Sequence, residues 1–282
     1  MKIVRFLGGL GNQMFQYAFY KSLEHKNIRA YVDLSHFENY NRHNGYELSR
    51  IFGIQIRQAP KLILELLKPE QKKWVYRKAR RILGLRKSYQ EEKREFSYDP
   101  NVYSKGNNYL WGYWQNETYF LNIRENLLND FNFPNLENKK NKNTLNSIIN
   151  NASISVHVRR GDYLKDHNLG EICTSEYYRL AIAYIKNKVE NPKFFIFSDD
   201  ISWCRNHLFK DEDVTFIDWN TGSNSYIDMY LMSNCKHNII ANSSFSWWGA
   251  WLNNNPSKIV ISPSIWIKNS ELTLSLKEWI KL

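Results

Sequence analysis

The second half of this chain alternates regularly between short apolar runs rich in β-branched residues and longer amphipathic segments. The apolar runs predict strands at 153–158, 194–198, 214–218, 238–242 and 258–262. The segments between them predict helices at 175–190, 200–209, 225–235 and 244–254. Because strands that alternate with helices build a parallel sheet covered on both faces, this half is predicted to be α/β.

The beginning of the chain repeats this pattern. A strand is predicted over 2–6, a glycine turn at Gly8–Gly11, a helix over 13–24 that Asn12 could cap, and a strand over 28–32. The stretch 137–151 is polar and rich in Asn and Lys, which is typical of a linker. We therefore expect two Rossmann-like α/β lobes, an N-terminal lobe over 1–150 and a C-terminal lobe over 151–282, with the ligand in a cleft between them.

Composition places the chain among globular proteins, since 43% of its 282 residues are hydrophobic. The three cysteines, Cys173, Cys204 and Cys235, lie far apart and suggest buried thiols rather than a disulfide framework or a zinc site. The N-terminus reads as a strand rather than a signal peptide, and no apolar run is long enough to cross a membrane. We expect a cytoplasmic protein that is at most peripheral to the inner face of the membrane.

Positive charge is concentrated in one segment. The chain carries a net charge of +11, and residues 57–94 contain 13 Lys and Arg against four Glu. Apolar residues at helical spacing within 61–85 predict amphipathic basic helices. They could dock on an anionic membrane or a lipid-linked phosphate, or they could be a solvated helical face. The charge also allows a nucleic-acid or anionic-surface binding protein, although we expect no nucleic-acid partner.

A cationic motif stands at the end of the predicted strand 153–158. His157, Arg159 and Arg160 are followed by Gly161 and Asp162. Guanidinium groups match phosphate oxygens two at a time, and ligands of open α/β sheets bind at the carboxyl ends of strands. The motif therefore predicts an anion receptor, while a solvated surface turn is the alternative.

A second polar motif follows the predicted strand 238–242. Asn242, Ser243 and Ser244 stand between this strand and an aromatic helix, where they could bind phosphate. Capping of the helix by one of the serines is the alternative. The tryptophans of that helix, Trp247, Trp248 and Trp251, are predicted to belong mostly to the core.

Acidic residues suggest two further sites. The carboxylate of Asp228 could accept hydrogen bonds from the N1–H and the exocyclic amine of guanine, or it could be a surface acid that favours a helix N-terminus. The segment 211–213, Asp-Glu-Asp, fits a short metal-binding pattern, but its polar context predicts a solvated turn. If the arginines neutralise a diphosphate, no metal is required.

The first glycine turn resembles a dinucleotide fingerprint only in part. Gly9, Gly11 and Asp33 fit the pattern, but Met14 occupies the third glycine position. A nucleotide-dependent oxidoreductase therefore remains a weaker alternative.

Taken together, four stretches resemble one family. They are GGLGNQMFQYA (8–18), HVRRGDY (157–163), FIFSDDISWC (195–204) and IDMYLMSNCKHNIIANSSFSWWGAWLN (227–253), and they resemble the bacterial α-1,2-fucosyltransferases of glycosyltransferase family 11. The resemblance implies a GT-B-like fold, GDP-β-L-fucose as donor, no cofactor or metal, and inversion to an α-linked product. It implies a galactose-containing oligosaccharide as acceptor, in a glycan such as O-antigen or capsule. Whether that acceptor is lipid-linked is left open.

The resemblance also implies roles for individual residues. His157, Arg159 and Arg160 would surround the donor diphosphate, Asp228 would bind the guanine end, and the segment 242–244 would lie on the phosphate side. Gly11 and Asn12 would approach the fucose and the β-phosphate from the N-terminal, acceptor-side lobe.

Charge that builds on the leaving GDP has to be stabilised, and Arg159 is our choice for this role, with Arg160 as the alternate. Asp162 would act as general base or would orient the arginines through a salt bridge. Other candidates for the base are Glu171, Asp33 and Asp166.

Overall fold

The structure is a computed structural model that describes residues 1–39, 44–209 and 214–282. The chain divides into two compact units, unit 1 (Met1–Asn132) and unit 2 (Phe133–Leu282). Both units are built on a parallel sheet, in agreement with the predicted α/β class.

Unit 1 holds a sheet of four parallel strands in the order β2-β1-β4-β3. The strands are β1 (Lys2–Arg5), β2 (Ala30–Asp33), β3 (Tyr89–Glu91) and β4 (Asn108–Trp111). The helices are α1 (Leu10–His25), α2 (Leu48–Phe52), α3 (Lys61–Leu67), α4 (Trp74–Ile82) and α5 (Arg124–Asp130). The core of this unit includes the fully buried Ile3, Phe15 and Phe19.

The glycine turn of unit 1 differs from the prediction in one respect. Helix α1 begins at Leu10 with Gly9 as its N-cap, so Asn12 lies inside the first turn and does not cap the helix. Gly8 adopts a φ of 80°, and a Cβ at this position would lie 2.6 Å from Nδ2 of Asn12. Gly8 therefore allows the chain to leave β1 and enter α1 with the side chain of Asn12 packed against the turn.

Unit 2 holds a sheet of six parallel strands in the order β10-β9-β8-β5-β6-β7. The strands are β5 (Ser153–Val158), β6 (Lys193–Ser198), β7 (Val214–Ile217), β8 (His237–Ile239), β9 (Val260–Ser262) and β10 (Ile280–Lys281). The helices are α6 (Lys139–Ile149), α7 (Ser175–Lys188), α8 (Ile201–His207), α9 (Tyr226–Asn234) and α10 (Ser244–Trp251). The predicted alternation of strands and helices is confirmed, with β8 and β9 shorter than expected.

The linker predicted over 137–151 is wrong, because α6 occupies it. Asn138 caps the helix by accepting a hydrogen bond from the backbone N–H of Lys140 at 2.7 Å, and Asn141 and Ile148 are buried. Helix α6 packs on α9. The first unit therefore ends at Asn132 rather than near residue 150. The segment resembles a linker in sequence because it is rich in asparagine and because the buried face of the helix contains few apolar residues.

The strand β5 lies at the centre of the unit 2 sheet and is buried along its whole length. Trp247, Trp248 and Trp251 on α10 are at most 1% exposed, which confirms that they belong to the core. Cys204 and Cys235 are buried as expected, and Cys173 is partly buried. In the described part of the chain, no helix is long and apolar enough to cross a membrane.

Candidate active site

The polar residues of unit 2 gather at one edge of its sheet, where neighbouring strands end. Strand β5 leads into Arg159 and Arg160, β6 leads into Asp199 and Asp200, and β8 leads toward the segment 242–244. Because β8, β5 and β6 are adjacent and parallel, their carboxyl ends meet at the same edge. This is the edge at which open α/β sheets bind ligands.

Arg159 is held by two carboxylates. Its Nη2 lies 2.7 Å from Oδ1 of Asp162, and its Nη1 lies 3.0 Å from Oδ2 of Asp199. The side chain is 29% exposed, so it is fixed in position and still reaches solvent. A guanidinium group held in this way is preorganised for an anionic ligand.

Arg160 is fixed by different groups. Its Nε lies 3.1 Å from Oδ2 of Asp200, and its guanidinium carbon lies 4.0 Å from the ring centre of Trp203. Within the described residues, no hydrogen bond engages its Nη1 or Nη2. These two nitrogens therefore remain as a fork for phosphate oxygens.

Asp199 connects the two arginines. Its Oδ1 accepts a hydrogen bond from the backbone N–H of Arg160 at 2.9 Å, while its Oδ2 pairs with Arg159. A Cβ at Gly161 would lie 2.8 Å from this Oδ2, so glycine leaves room for the carboxylate. Sequence reasoning missed Asp199, although its place directly after a predicted strand was a usable signal.

His157 lies on β5 and is 7% exposed. Burial, together with the positive charge of Arg159, lowers the pKa of His157 to about 3, so its imidazole is neutral. Its Nδ1 is buried and has no hydrogen-bond partner among the described residues. His157 therefore adds no charge to the cluster of Arg159 and Arg160, and its Nδ1 is available for a hydrogen bond to a ligand.

The three residues of the segment 242–244 play different parts in the structure. The side-chain amide of Asn242 donates hydrogen bonds to the backbone carbonyls of Leu169 at 3.0 Å and Trp266 at 3.2 Å, so it ties two loops together. Ser243 stands at the N-cap of α10 but forms no capping hydrogen bond with its side chain. Ser244 begins α10 and is partly exposed. The N-terminal end of α10 thus lies beside the end of β8, where a helix favours an anion.

Asp228 lies on the first turn of α9, which follows β7. Its Oδ1 accepts a hydrogen bond from Nδ2 of Asn220 at 2.8 Å. Asn220 and Asn141 hydrogen-bond each other through their side chains at 2.8 and 3.1 Å, and both are buried. Burial raises the pKa of Asp228 to about 7, against the opposing effect of the Asn220 hydrogen bond. The carboxylate is therefore placed by a chain of amides that begins on α6, where the sequence predicted a linker.

The glycine turn of unit 1 also lies at the carboxyl edge of its sheet. Oδ1 of Asn12 accepts a hydrogen bond from Nε2 of Gln115 at 2.8 Å. Gln13 donates from Nε2 to the carbonyls of Gly8 at 2.9 Å and Gly45 at 2.8 Å. The side-chain amides of Gln13 and Gln115 therefore hold the turn in place.

Glu92 follows β3 at the same edge and was not predicted. Its Oε2 accepts hydrogen bonds from the backbone N–H groups of Tyr113 at 2.8 Å and Trp114 at 3.2 Å. Burial raises the pKa of Glu92 to about 6, although these hydrogen bonds oppose the shift. No strand is predicted before Glu92, and it stands in a run of charged residues over 91–95, so no signal in the sequence singles it out.

The candidates for a general base are all engaged in contacts of their own. Asp162 pairs with Arg159, which favours the orienting role. Asp33 is buried and accepts hydrogen bonds from Ser35 and Tyr109, Asp166 accepts from the backbone of Asn168, and Glu171 pairs with Lys268. The segment 211–213 lies outside the described residues.

Comparison with known proteins decides the family. The profile of Glycosyl transferase family 11 matches residues 2–282. The chain belongs to this family. It is therefore a glycosyltransferase of the fucosyltransferase type, which sets aside the oxidoreductase and nucleic-acid-binding alternatives.

Among its relatives is an α-1,2-colitosyltransferase of Escherichia coli, 40% identical over 96% of this chain and 93% of that protein. Another is the O-antigen biosynthesis glycosyltransferase WbnK of Escherichia coli, 32% identical over 98% of both chains. A galactoside 2-α-L-fucosyltransferase of Bos taurus is 28% identical over 51% of this chain and 41% of its own length.

A solved structure supports the fold. The family 11 chain is similar to NodZ α-1,6-fucosyltransferase co-crystallised with GDP, with a TM-score of 0.50, 14% identity, and coverage of 88% of this chain and 91% of NodZ. The predicted GT-B-like α/β class is confirmed.

Proposed function

We propose that this chain transfers L-fucose from GDP-β-L-fucose to the 2-hydroxyl of a β-galactoside, with inversion to an α-linkage. The observation that carries the proposal is the pair Arg159 and Arg160 at the end of β5, each fixed by a carboxylate that follows β6. Its membership of family 11 and its α-1,2-transferring relatives support the linkage.

The reaction breaks the bond between C1 of fucose and the β-phosphate oxygen, and negative charge builds on the departing GDP. Arg159, with Arg160 beside it, would stabilise that charge more in the transition state than in the ground state. Neutral His157 would contribute a hydrogen bond rather than a charge. Asn242, Ser243 and Ser244 would complete the phosphate side, and Gly11 and Asn12 would approach the sugar.

The acceptor hydroxyl attacks C1 from the face opposite the phosphate. Asp162 would orient Arg159 rather than remove the acceptor proton, since it is ion-paired. The transition state is loose and the sugar oxocarbenium-like, so the acceptor oxygen would lose its proton to solvent water as the new bond forms, with little need for a general base.

Asp228 would recognise the guanine nucleobase of the donor. The ionised carboxylate accepts two hydrogen bonds from guanine, and uracil or adenine would leave it unpaired, at a cost of about 1–3 kcal/mol. We also propose that turnover needs no metal or cofactor, because the two arginines would neutralise the diphosphate.

A second candidate donor is the nucleotide sugar of colitose, a fucose analogue without the 3-hydroxyl. The 40% identity to an α-1,2-colitosyltransferase favours it. The two candidates share the leaving group and the linkage and differ in one hydroxyl of the sugar. Only the contacts made to that hydroxyl would separate them.

The acceptor would be a galactose-containing oligosaccharide of an O-antigen or capsule, as the relationship to WbnK suggests. Such glycans are assembled in the cytoplasm on lipid carriers. The protein would then work at the inner face of the membrane, as a peripheral protein.

The test is a GDP-release assay with equal concentrations of GDP-fucose and GDP-colitose against a panel of β-galactosides, with UDP-galactose as the control donor. We expect turnover of GDP-fucose with at least one β-galactoside and none of UDP-galactose. A kcat/KM for GDP-colitose well above that for GDP-fucose would transfer the assignment to colitose. Release of UDP would contradict the proposed donor class.

A further inference from the structure

The segment 69–86 of unit 1, which includes α4, carries a cationic cavity of about 680 Å³. The cationic side chains that line it are Lys72, Arg77, Lys78, Arg80, Arg81 and Arg86. Among the described residues, no acidic side chain lines this cavity. Of the two nearest glutamates in the sequence, Glu65 accepts a hydrogen bond from Gln71, a neutral residue of the lining, and Glu70 pairs with Arg5. The cavity therefore has a high density of uncompensated positive charge.

Helix α4 also exposes large apolar side chains to solvent. Trp74 is 71% exposed, Val75 is 54% exposed and Ile82 is 73% exposed. Residues 74, 75, 78 and 82 share one face of α4, since each is separated from another by three or four positions. Lys78 lies on this face, with its Nζ 5.9 Å from the ring centre of Trp74.

A helix with exposed tryptophan and aliphatic groups on one face and arginines beside them is typical of an interfacial membrane helix. A nucleic acid would match the charge but would leave the aliphatic groups in water. A soluble phosphate would fill the cavity but would not cover the stripe. A bilayer with anionic lipids offers phosphates for the cavity and an apolar boundary for the stripe.

We propose that α4, with residues 69–73 before it and the turn to Arg86 after it, forms a membrane-docking surface that binds anionic phospholipid. The cavity holds lipid phosphate groups, and Trp74, Val75 and Ile82 enter the boundary between head groups and acyl chains. This inference rests on residues 69–86 and does not depend on which sugar the chain transfers.

The test is co-sedimentation of the full chain with vesicles of phosphatidylcholine alone or with 30% phosphatidylglycerol. We expect binding only to the anionic vesicles, and a decrease as salt rises, because the screening length falls below about 8 Å. A charge variant replaces Arg77, Lys78, Arg81 and Arg86 by Gln. Each cation near the surface contributes about a fivefold gain in partitioning, so this variant should lose binding by at least a hundredfold.

Two further variants separate the possible causes. Trp74→Ser combined with Ile82→Ser should lose most binding with every charge retained. A matched control replaces four exposed lysines of unit 2, Lys139, Lys142, Lys188 and Lys277, by Gln and should bind like the wild type. Turnover of a small soluble β-galactoside should be unchanged in all three variants.

Several results would overturn the proposal. One is equal loss of binding in the charge variant and the matched control, which would show that only net charge matters. Another is full binding to anionic vesicles by the Trp74/Ile82 variant, and another is equal binding to the two kinds of vesicle. A further one is release of the protein from anionic vesicles by inorganic phosphate as complete as its release by an excess of competing anionic vesicles. Loss of turnover on the soluble acceptor by the charge variant would place the cavity in the active site instead.

Discussion

Asn220 donates a hydrogen bond from Nδ2 to Oδ1 of Asp228 at 2.8 Å, and this contact places a carboxylate whose pKa is raised to about 7. The proposed recognition of guanine needs that carboxylate in its ionised form. If Asp228 binds guanine as proposed, the affinity for GDP should depend on pH.

The first prediction concerns the affinity for GDP between pH 5.5 and pH 8.5. Protonation of Asp228 removes an acceptor for guanine, so the Kd for GDP should rise as pH falls below 7, by up to about tenfold per pH unit. Calorimetry at a series of pH values measures this. The terminal phosphate of GDP also titrates, with a pKa of about 6, so Asp228→Asn is the necessary control. This variant should bind GDP more weakly at pH 8 and show a flatter profile, and equal profiles would contradict the assignment.

The same carboxyl also affects stability. Its pKa is higher in the folded chain than the usual value of 3.8, so the folded state binds the proton more tightly. The stabilisation this provides is complete below pH 3.8 and is lost as pH rises through 7. Asp228→Asn should therefore reduce the fall in melting temperature between pH 6 and pH 8. An unchanged fall would indicate that other groups cause it.

A second prediction tests the amide chain behind Asp228. Asn141→Leu removes the amide that hydrogen-bonds Asn220 and leaves Asn220 with the hydrogen bond to Asp228. The Kd for GDP should therefore rise about fivefold to thirtyfold, corresponding to about 1–2 kcal/mol. The Kd for UDP and kcat at saturating donor should be unchanged. Asn143→Leu, at an exposed position on the same helix, is the matched control. If Asn141→Leu weakens GDP and UDP equally, Asn141 supports only the fold.

The third prediction concerns Arg159. Arg159→Lys keeps the charge and loses the planar fork, so kcat should fall by about 10²–10³. The melting temperature should change little, because the side chain is partly exposed at a strand end. A variant that keeps more than half of wild-type kcat would remove Arg159 from the mechanism.

Asp199 gives a fourth prediction. Asp199→Asn keeps an acceptor for the backbone of Arg160 but removes the ion pair with Arg159. As a positioning residue it should lower kcat by about tenfold, less than the change at Arg159, with a smaller effect on the KM for the donor. In the double variant with Arg159→Lys the two losses should not add, since both act through the same guanidinium group. Full additivity would give Asp199 an independent role.

Much of the unit 2 fold could be predicted from sequence. Its buried parallel strands are continuous apolar runs, and these runs alternate regularly with amphipathic helical segments. The edge that carries Arg159 and Arg160 followed from the place of β5 in that pattern. Helix α6 could not be predicted, since its inward face contains the polar Asn141 and Thr144, and the partner of Asn141, Asn220, is distant in sequence. The start of α1 was also missed, because a glycine N-cap provides no side-chain signal.

The site was predictable only where a charged group followed a strand directly. The arginines met this condition, and Asp199 met it as well. The partners of Asp228 and the contacts of Glu92 depend on tertiary packing, which brings together residues far apart in the chain. Neither local spacing nor composition encodes such contacts.

The most direct test of the central claim is the structure of the product formed from GDP-β-L-fucose and a β-galactoside in the presence of excess EDTA. NMR of the purified product gives both the anomeric configuration and the substituted position. The account predicts an α-linked fucose on O2 of galactose, formed at an undiminished rate under chelation. A β-linked product, a different position of attachment, or turnover that stops with EDTA and returns with manganese would contradict it.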